Sequence, residues 1–363
     1  MKILMFSDLH VDHKNTEAMS IIDNTLKLAK RLVVKEKIHS VFFLGDLIDT
    51  PYHVKTPALD LLALRLQEIV KELPSSGSFI ILKGNHDLYL QKDKEEITNI
   101  SWLKGYSKVV VVDKEPYVGV PFLFVPYYAD GKEFLEKVKG AKTPDTRYLL
   151  CHQPINKMEY SSGIVEKDGV SISKIPFDKI FTGHYHKRQL MKSGKKLVYG
   201  IGSPLCFNFS DEIQGSLSRG FVILELNLSK ENELVDMFKS NPYTFYYQTI
   251  TPDQTKEVWE TPLVLNGEII PSERIHLRIK GPSTFIKDTL SQLGDKKYAS
   301  WKSVPTHTAR PSRKEGGVEL TGSKPEKAVK EYVSKFYKGG DPKAVIEIGL
   351  QILKEAKNAV QAD

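Results

Sequence analysis

The first half of the chain alternates short, nearly continuous apolar runs with longer stretches of helical period. The runs are KILMFS, SVFFLG, SFIILKG, KVVVVD, VPFLFVPY, RYLLC, KIFTG, KLVYGIG and GFVILELN. A strand with no polar side is one buried on both faces, so this pattern predicts sheet covered by layers of helix. Between the first two runs lies NTEAMSIIDNTLKLAKRLVVKEKI, with apolar residues at Ile21, Ile22, Leu26, Leu28, Leu32 and Val33. Between the second and third lies TPALDLLALRLQEIVKEL, which opens with a Thr-Pro start signal. Both predict helices, and the fold class is α/β, with layers of helix around sheet.

Five of the runs end in a short polar cluster. In chain order these supply Asp8 and His10, then Asp46 and Asp49, then Asn85, His86 and Asp87, then His152, and finally His184 and His186. In a layered α/β protein the carboxyl ends of strands converge on one crevice, so clusters scattered in sequence meet in space. Two imidazoles at i and i+2 of an extended segment, as in GHYH, reach one small volume. Each cluster has an ordinary reading as a turn or cap, and alternate histidines occur on solvated strands. Together they hold five of the ten histidines, each beside a strand end, which points to chemistry. Carboxylates, an amide oxygen and imidazoles without thiolate suit Mn, Fe or Zn in expanded coordination. Seven donors exceed what one tetrahedral ion takes, and two ions sharing a carboxylate would use them all. His13, His39, His53, His276 and His307 lack this context and are read as solvated.

The chain has 363 residues, enough for one large domain and smaller ones. Its two cysteines, Cys151 and Cys206, sit in apolar contexts without Cys-x-x-Cys spacing, which argues against disulfides and thiolate zinc. The N-terminal apolar run is too short for a signal-peptide core, and no stretch approaches the ~20 apolar residues of a membrane span. A cytoplasmic protein with no membrane partner is expected. The formal net charge of +7 permits phosphate-bearing partners without requiring them.

Asp8-Leu9-His10, Gly45-Asp46-Leu47-Ile48-Asp49, Gly84-Asn85-His86-Asp87, His152 and Gly183-His184-Tyr185-His186 resemble the five motifs of the calcineurin-like metallophosphoesterases. Within that superfamily the wording is similar to the SbcD-type DNA repair nucleases, including phage recombination endonuclease subunits. GDLIDTP and KGNHD stand where protein phosphatases typically read GDYVDRG and RGNHE. DLHVDH departs from these nucleases, which usually carry a glycine shortly after the histidine. The resemblance implies a β-sandwich flanked by helices, with one metal held by Asp8, His10, Asp46 and His186, and another held by Asp46, Asn85, His152 and His184. Mn2+ is the favoured ion, with Mg2+ as the alternative. Beside ligand Asn85, His86 is assigned to the leaving alkoxide, with Asp87 orienting it. Asp49 either supports the ligands from behind, shapes the DNA edge or caps the turn.

The implied activity is a DNA nuclease, exonucleolytic on duplexes and endonucleolytic on single strands, working with an SbcC-like ATPase in recombination and double-strand break processing. Three other readings stay open: a phosphoesterase of the same superfamily acting on another phosphoester, a catalytically silent scaffold, and a nucleic-acid-binding module without chemistry. The expected organisation is a nuclease domain at 1–244, a DNA-facing capping domain at 245–315 and a C-terminal helical hairpin at 316–363. Candidate strands ERIHLRIKG and YASWKSVP flank a candidate helix, STFIKDTLSQLG, and WKSVPTHTARPSRK carries four basic residues and no acidic one. The hairpin's apolar stripe, Val345, Ile348, Ile352, Ala356 and Val360, is expected to bind the ATPase or to pack on the chain's own core. Leucines at 59, 61, 62, 64 and 66 make their helix apolar on more than one face, which suggests a homodimer.

Overall fold

The computed structural model describes residues 1–11, 16–88, 98–207, 219–227, 233–241, 244, 246–252, 264–265, 268–269, 275–293, 300–305, 333, 345–348 and 350. Met1–Thr306 form one compact unit and His307–Asp363 a second. Residues 333, 345–348 and 350 are helical. The rest of the expected C-terminal hairpin lies outside the described residues, as do His13, His307 and the basic segment beyond residue 305.

In chain order the first unit contains β1 (Lys2–Phe6), α1 (Thr16–Lys35), β2 (Ser40–Phe43), α2 (Thr56–Lys71), β3 (Phe79–Leu82), β4 (Val109–Val112), β5 (Tyr117–Gly119) and β6 (Phe122–Val125). There follow α3 (Gly131–Ala141), β7 (Tyr148–Cys151), β8 (Lys179–Thr182), β9 (Gln189–Ser193), β10 (Lys196–Gly200), β11 (Gly220–Asn227), β12 (Glu233–Ser240) and β13 (Tyr246–Ile250). The last elements are β14 (Val264–Leu265), β15 (Glu268–Ile269), β16 (Ile275–Gly281), α4 (Ser283–Leu293) and β17 (Ser300–Pro305). Two six-stranded sheets carry the fold, in the orders β12-β11-β1-β2-β3-β4 and β5-β6-β7-β8-β10-β9. Strands β1 to β4 run parallel, as do β6, β7, β8 and β10. Antiparallel pairs close the remaining edges.

The continuous apolar runs have a direct physical cause. Successive side chains of a strand point to opposite faces. On β1, Ile3 and Met5 enter a core with Phe122, Phe124, Leu150 and Phe181 of the other sheet. Leu4 and Phe6 enter a second core with Leu26 and Leu62 of α1 and α2. A third core lies on the far side of the second sheet, where Leu149 and Ile180 meet Phe134 and Val138 of α3. All nine runs form strands, and the two stretches of helical period form α1 and α2.

The sequence pattern does not reveal β5, β9, β12, β13, β14, β15 or α3. β5 and β9 are short edge strands with exposed positions, and α3 buries only Phe134 and Val138 among mostly charged residues. On α2, Ala58, Leu62, Leu66 and Ile69 are buried and Leu64 is left 49% exposed. The strand–helix–strand unit read near the C-terminal end is present as β16–α4–β17, with the two strands paired in parallel and β13 on the other side of β16. Its core is Ile250, Leu277, Ile279 and Ile286. His276 on β16 is buried, not solvated as the sequence suggested. Among the described residues no helix is long and apolar enough to cross a membrane.

Candidate metal centre

The centre sits where the carboxyl ends of β1, β2 and β3 in one sheet meet those of β7 and β8 in the other. Beyond β1 and β2 the two chain segments stay paired through their backbones. Asp8 N–H donates to Gly45 O (2.9 Å), His10 N–H to Asp46 O (3.2 Å), and Val11 N–H to Leu47 O (3.0 Å). Asp8, His10, Asp46 and His184 all have positive φ, at 55°, 45°, 57° and 72°. Among the described residues only seven non-glycine positions do so, so left-handed backbone is concentrated at candidate ligands. Gly45, at φ +94°, is required twice over, because a Cβ there would overlap the His152 ring.

Asp87 is fully buried, and its carboxylate accepts four backbone N–H groups: Gly84 at 2.8 Å, Asp46 at 2.9 Å, Leu47 at 3.1 Å and Ile48 at 3.2 Å. It therefore ties the GNHD turn to the loop that carries Asp46. A Cβ on Gly84 would overlap Asp46, which shows how closely the two loops press. The sequence-based role for Asp87, orienting His86, is not what the structure contains, because this carboxylate is committed to backbone donors. His86 is held instead by Asp49, whose carbonyl accepts from His86 Nδ1 at 2.7 Å. The backbone N–H of His86 donates to Asp46 Oδ1 at 2.9 Å. Asp49 also places its carboxylate 3.3 Å from His10 Nδ1, so it backs two imidazoles at once.

The seven candidate ligands converge in two groups. On one side His10 Nε2 and His186 Nε2 lie 3.1 Å apart, and donor atoms of Asp8, His10 and His186 fall within 4.8 Å of one another. On the other side Asn85 Oδ1 lies 3.1 Å from His152 Nε2 and 2.9 Å from His184 Nδ1. Asp46 Oδ2 stands between the groups, 3.2 Å from His152 Nε2 and 3.8 Å from His10 Nε2. With Oδ1 occupied by the His86 N–H, only Oδ2 faces both sides.

These groups fit cations because acceptors face acceptors. His152 Nδ1 donates to Leu44 O at 2.6 Å, so any lone pair on this ring sits at Nε2, aimed at Asp46 and Asn85 oxygens. Asp8 is fully buried; Ser7 satisfies its Oδ2, and its Oδ1 has no hydrogen-bond partner. A buried carboxylate oxygen without a partner costs free energy that a cation would recover.

The electrostatics agree. Burial depresses the His10 pKa and takes His184 down to about 3, so both rings are neutral and available as ligands. Burial alone would lower His152 as well, but the Asp46 carboxylate overrides it and raises His152 to about 9. Burial would raise Asp46, and the charge on His152 instead holds it well below the usual carboxylate range. In the metal-free protein a proton on His152 Nε2 thus stands where a cation would. Burial and the Asp46 charge push Asp87 up to about 7, while the N–H donors of Gly84 and Ile48 pull it back.

Four neighbours of the centre were not among the residues singled out from the sequence. Ser203, fully buried after β10, donates from its hydroxyl to Asp8 O at 2.8 Å, and its N–H donates to His186 O at 3.1 Å. Arg219 donates to the same His186 carbonyl. Phe207 packs edge-on or tilted against His10 and His186, with centroids 5.2 Å from each. Tyr160 lies with its hydroxyl 3.3 Å from His184 Nε2. Only the Gly-x-Gly-Ser after a strand, at 200–203, offered a local cue to Ser203.

Two outcomes follow from this geometry. Asp87→Asn turns one acceptor into a donor facing backbone N–H groups, and should cost about 1–3 kcal/mol in chemical unfolding while weakening metal uptake. Unchanged stability would contradict the buried four-donor arrangement. Second, a cation must expel the proton held on His152, whose metal-free pKa lies above the ordinary histidine value. Metal affinity should therefore climb with pH until about 9 and then level off. Calorimetry at neutral pH in buffers of different ionisation enthalpy should record about one proton released per protein.

A model of the calcineurin-like phosphoesterases matches residues 1–188. None of the curated proteins compared matches the chain. Among solved structures it is similar to GAP50, described as the anchor in the inner membrane complex of Plasmodium, at 16% identity over 66% of this chain and 84% of that one, with a TM-score of 0.40. It is also similar to a dimetal phosphatase from Danio rerio, at 10% identity over 66% of this chain and 96% of that one, with a TM-score of 0.39. The family model spans 188 of the 363 residues and includes every candidate ligand, and the chain belongs to the calcineurin-like phosphoesterases, hydrolases of phosphoesters that work with divalent metal ions.

Proposed function

We propose that this phosphoesterase is a two-metal DNA nuclease of the SbcD type, cutting duplex ends exonucleolytically and single strands endonucleolytically. The observation that carries the two-metal chemistry is the position of Asp46 Oδ2, in reach of imidazoles from both groups. DNA as the phosphodiester is supported by the SbcD-like wording of the motifs, by the net charge of +7 and by the β16–α4–β17 unit in the region expected to cap the site. The mixed set of carboxylate, amide and imidazole donors suits Mn2+, with Mg2+ as the alternative.

Divalent ions, when bound, would supply Lewis acidity, which activates attacking water and offsets charge at phosphorus. The chain supplies the rest. Asp8, His10, Asp46 and His186 would hold one ion, and Asp46, Asn85, His152 and His184 the other. His86 commits Nδ1–H to Asp49 O, which leaves Nε2 to serve the substrate. Protonated at Nε2, it gives that proton to the leaving oxygen as the P–O bond breaks. Asp49 holds His10 and His86 in register, so ligand and proton donor share one support.

The C-terminal helices are assigned to an SbcC-like ATPase, and the exposed Leu64 on α2 to a two-fold contact with a second copy.

The assay is cleavage of labelled single- and double-stranded DNA with Mn2+ or Mg2+, with and without the ATPase. Robust hydrolysis of small phosphomonoesters with no cutting of DNA would refute the nuclease reading. His86→Ala should keep both metals and lower turnover by ~10^2 or more, whereas Asp46→Ala should lose metal. Equal metal loss in the two variants would refute the role given to His86. Truncation after Thr321 should leave metal-dependent cutting of single strands intact and abolish ATPase binding and ATP-stimulated cutting of duplex ends. A truncated chain that still co-purifies with the ATPase would refute the partner assignment.

A further inference from the structure

The segment between β7 and β8 is mostly irregular, yet it is firmly fastened beside His184. Tyr185 Oη donates to Ile155 O at 3.0 Å and accepts Ile155 N–H at 2.8 Å. The Gln189 amide pairs with both backbone groups of Glu159, accepting its N–H at 2.9 Å and donating to its carbonyl at 2.7 Å. Tyr160 N–H closes a tight turn on Ile164 O at 2.8 Å, and Glu166 N–H donates to Met158 O at 2.8 Å. The turn therefore presents Tyr160 in a fixed position, with its ring 5.8 Å from that of His184.

Within this turn the directions of the hydrogen bonds are determined one after another. Glu166 Oε1 accepts backbone N–H from Asp168 at 2.7 Å and from Gly169 at 3.0 Å. Burial opposes charge on Glu166, but the Tyr160 hydroxyl and these N–H groups together lower its pKa, so it is ionised. Its Oε2 then accepts from the Tyr160 hydroxyl. A phenol has one proton, so with that proton committed to Glu166 the Tyr160 oxygen can only accept. The donor within reach is His184 Nε2, at 3.3 Å.

We propose that Glu166 and Tyr160 form a positioning relay that fixes His184 as the Nε2–H tautomer and so turns its Nδ1 lone pair toward the cation it shares with Asn85. The assignment rests on the metallophosphoesterase reading of the centre and not on DNA as the substrate. Neither residue touches the cation. They act through His184, as the outer hydrogen bonds of metal-bound histidines do. The relay belongs to one half of the centre only, because His10 and His186 are supported by Asp49, Ser203 and Arg219 instead.

This one-sidedness gives a test that a merely structural role does not pass. Tyr160→Phe keeps the ring and removes the acceptor. In Glu166→Gln the two N–H donors of residues 168 and 169 hold the amide oxygen, so its NH2 faces Tyr160. The Tyr160 hydroxyl must then donate to His184, which favours the opposite tautomer.

Metal titration should show wild-type affinity at the first site and a 10–100-fold loss at the second in Tyr160→Phe. The loss in Glu166→Gln should be at least as large, although this side chain is farther from the cation. The double variant should behave as Tyr160→Phe alone. Nitrogen-15 spectra of metal-free protein labelled at histidine should show His184 as Nε2–H in the wild type, mixed in Tyr160→Phe and Nδ1–H in Glu166→Gln. Unchanged second-site affinity in both variants, equal weakening of both sites, or an Nε2–H tautomer that survives Glu166→Gln would overturn the relay. A wild-type chain that takes up fewer than two ions would refute the two-metal reading, and the tautomer spectra would still decide the relay.

Discussion

One buried carboxylate holds two strand-end loops against each other. By accepting N–H groups from Asp46, Leu47, Ile48 and Gly84, Asp87 keeps the turn after β2 and the turn after β3 in contact. That contact lets the His86 N–H occupy Asp46 Oδ1 and leaves Oδ2 as the oxygen facing both halves of the centre. The same contact fixes Asn85, one residue before His86. Everything that depends on a shared carboxylate depends on this backbone tie first.

The tie works against a real cost. Left-handed backbone at a non-glycine residue costs on the order of 1–3 kcal/mol, and Asp8, His10, Asp46 and His184 each adopt it. Acceptor oxygens and ring nitrogens are also held within hydrogen-bond distance of each other. The pairing that continues β1 and β2 beyond their last residues, from Asp8 to Val11, offsets part of this, as do the bonds of Ser203 to Asp8 and His186. Hydrogen bonds within the chain thus fix the donors in place, and fixed donors are what electrostatic catalysis requires.

The parts of this design that leave a local pattern were legible in the sequence. A strand buried on both faces writes a continuous apolar run, and a ligand placed at its end writes a polar residue immediately after it. The candidate donors Asp8, Asp46, Asn85, His152 and His184, which the structure brings together, were picked out in that way. The role of Asp87 was misread because a carboxylate that serves backbone N–H groups looks, in sequence, like one that serves a histidine. The support of His86 by the Asp49 carbonyl left no trace, since every residue has a carbonyl. Tyr160 and Ser203 reach the centre through long-range contacts from irregular segments, where no period exists to be read. Edge strands such as β9 escaped for the opposite reason, since solvent on one side permits almost any residue.

Each half of the centre takes donors from both sheets, and the closest cross-sheet pairs are far apart along the chain. His10 meets His186 across 176 positions, and Asn85 meets His184 across 99. Contacts of such separation form late, after the intervening chain has collapsed. The first sheet by itself brings Asp8, His10, Asp46 and Asn85 to one edge, but neither half has its full set of donors until residue 186 is out and both sheets have closed. A chain broken off before that point lacks His184 and His186, one candidate donor from each half, and so carries an incomplete centre.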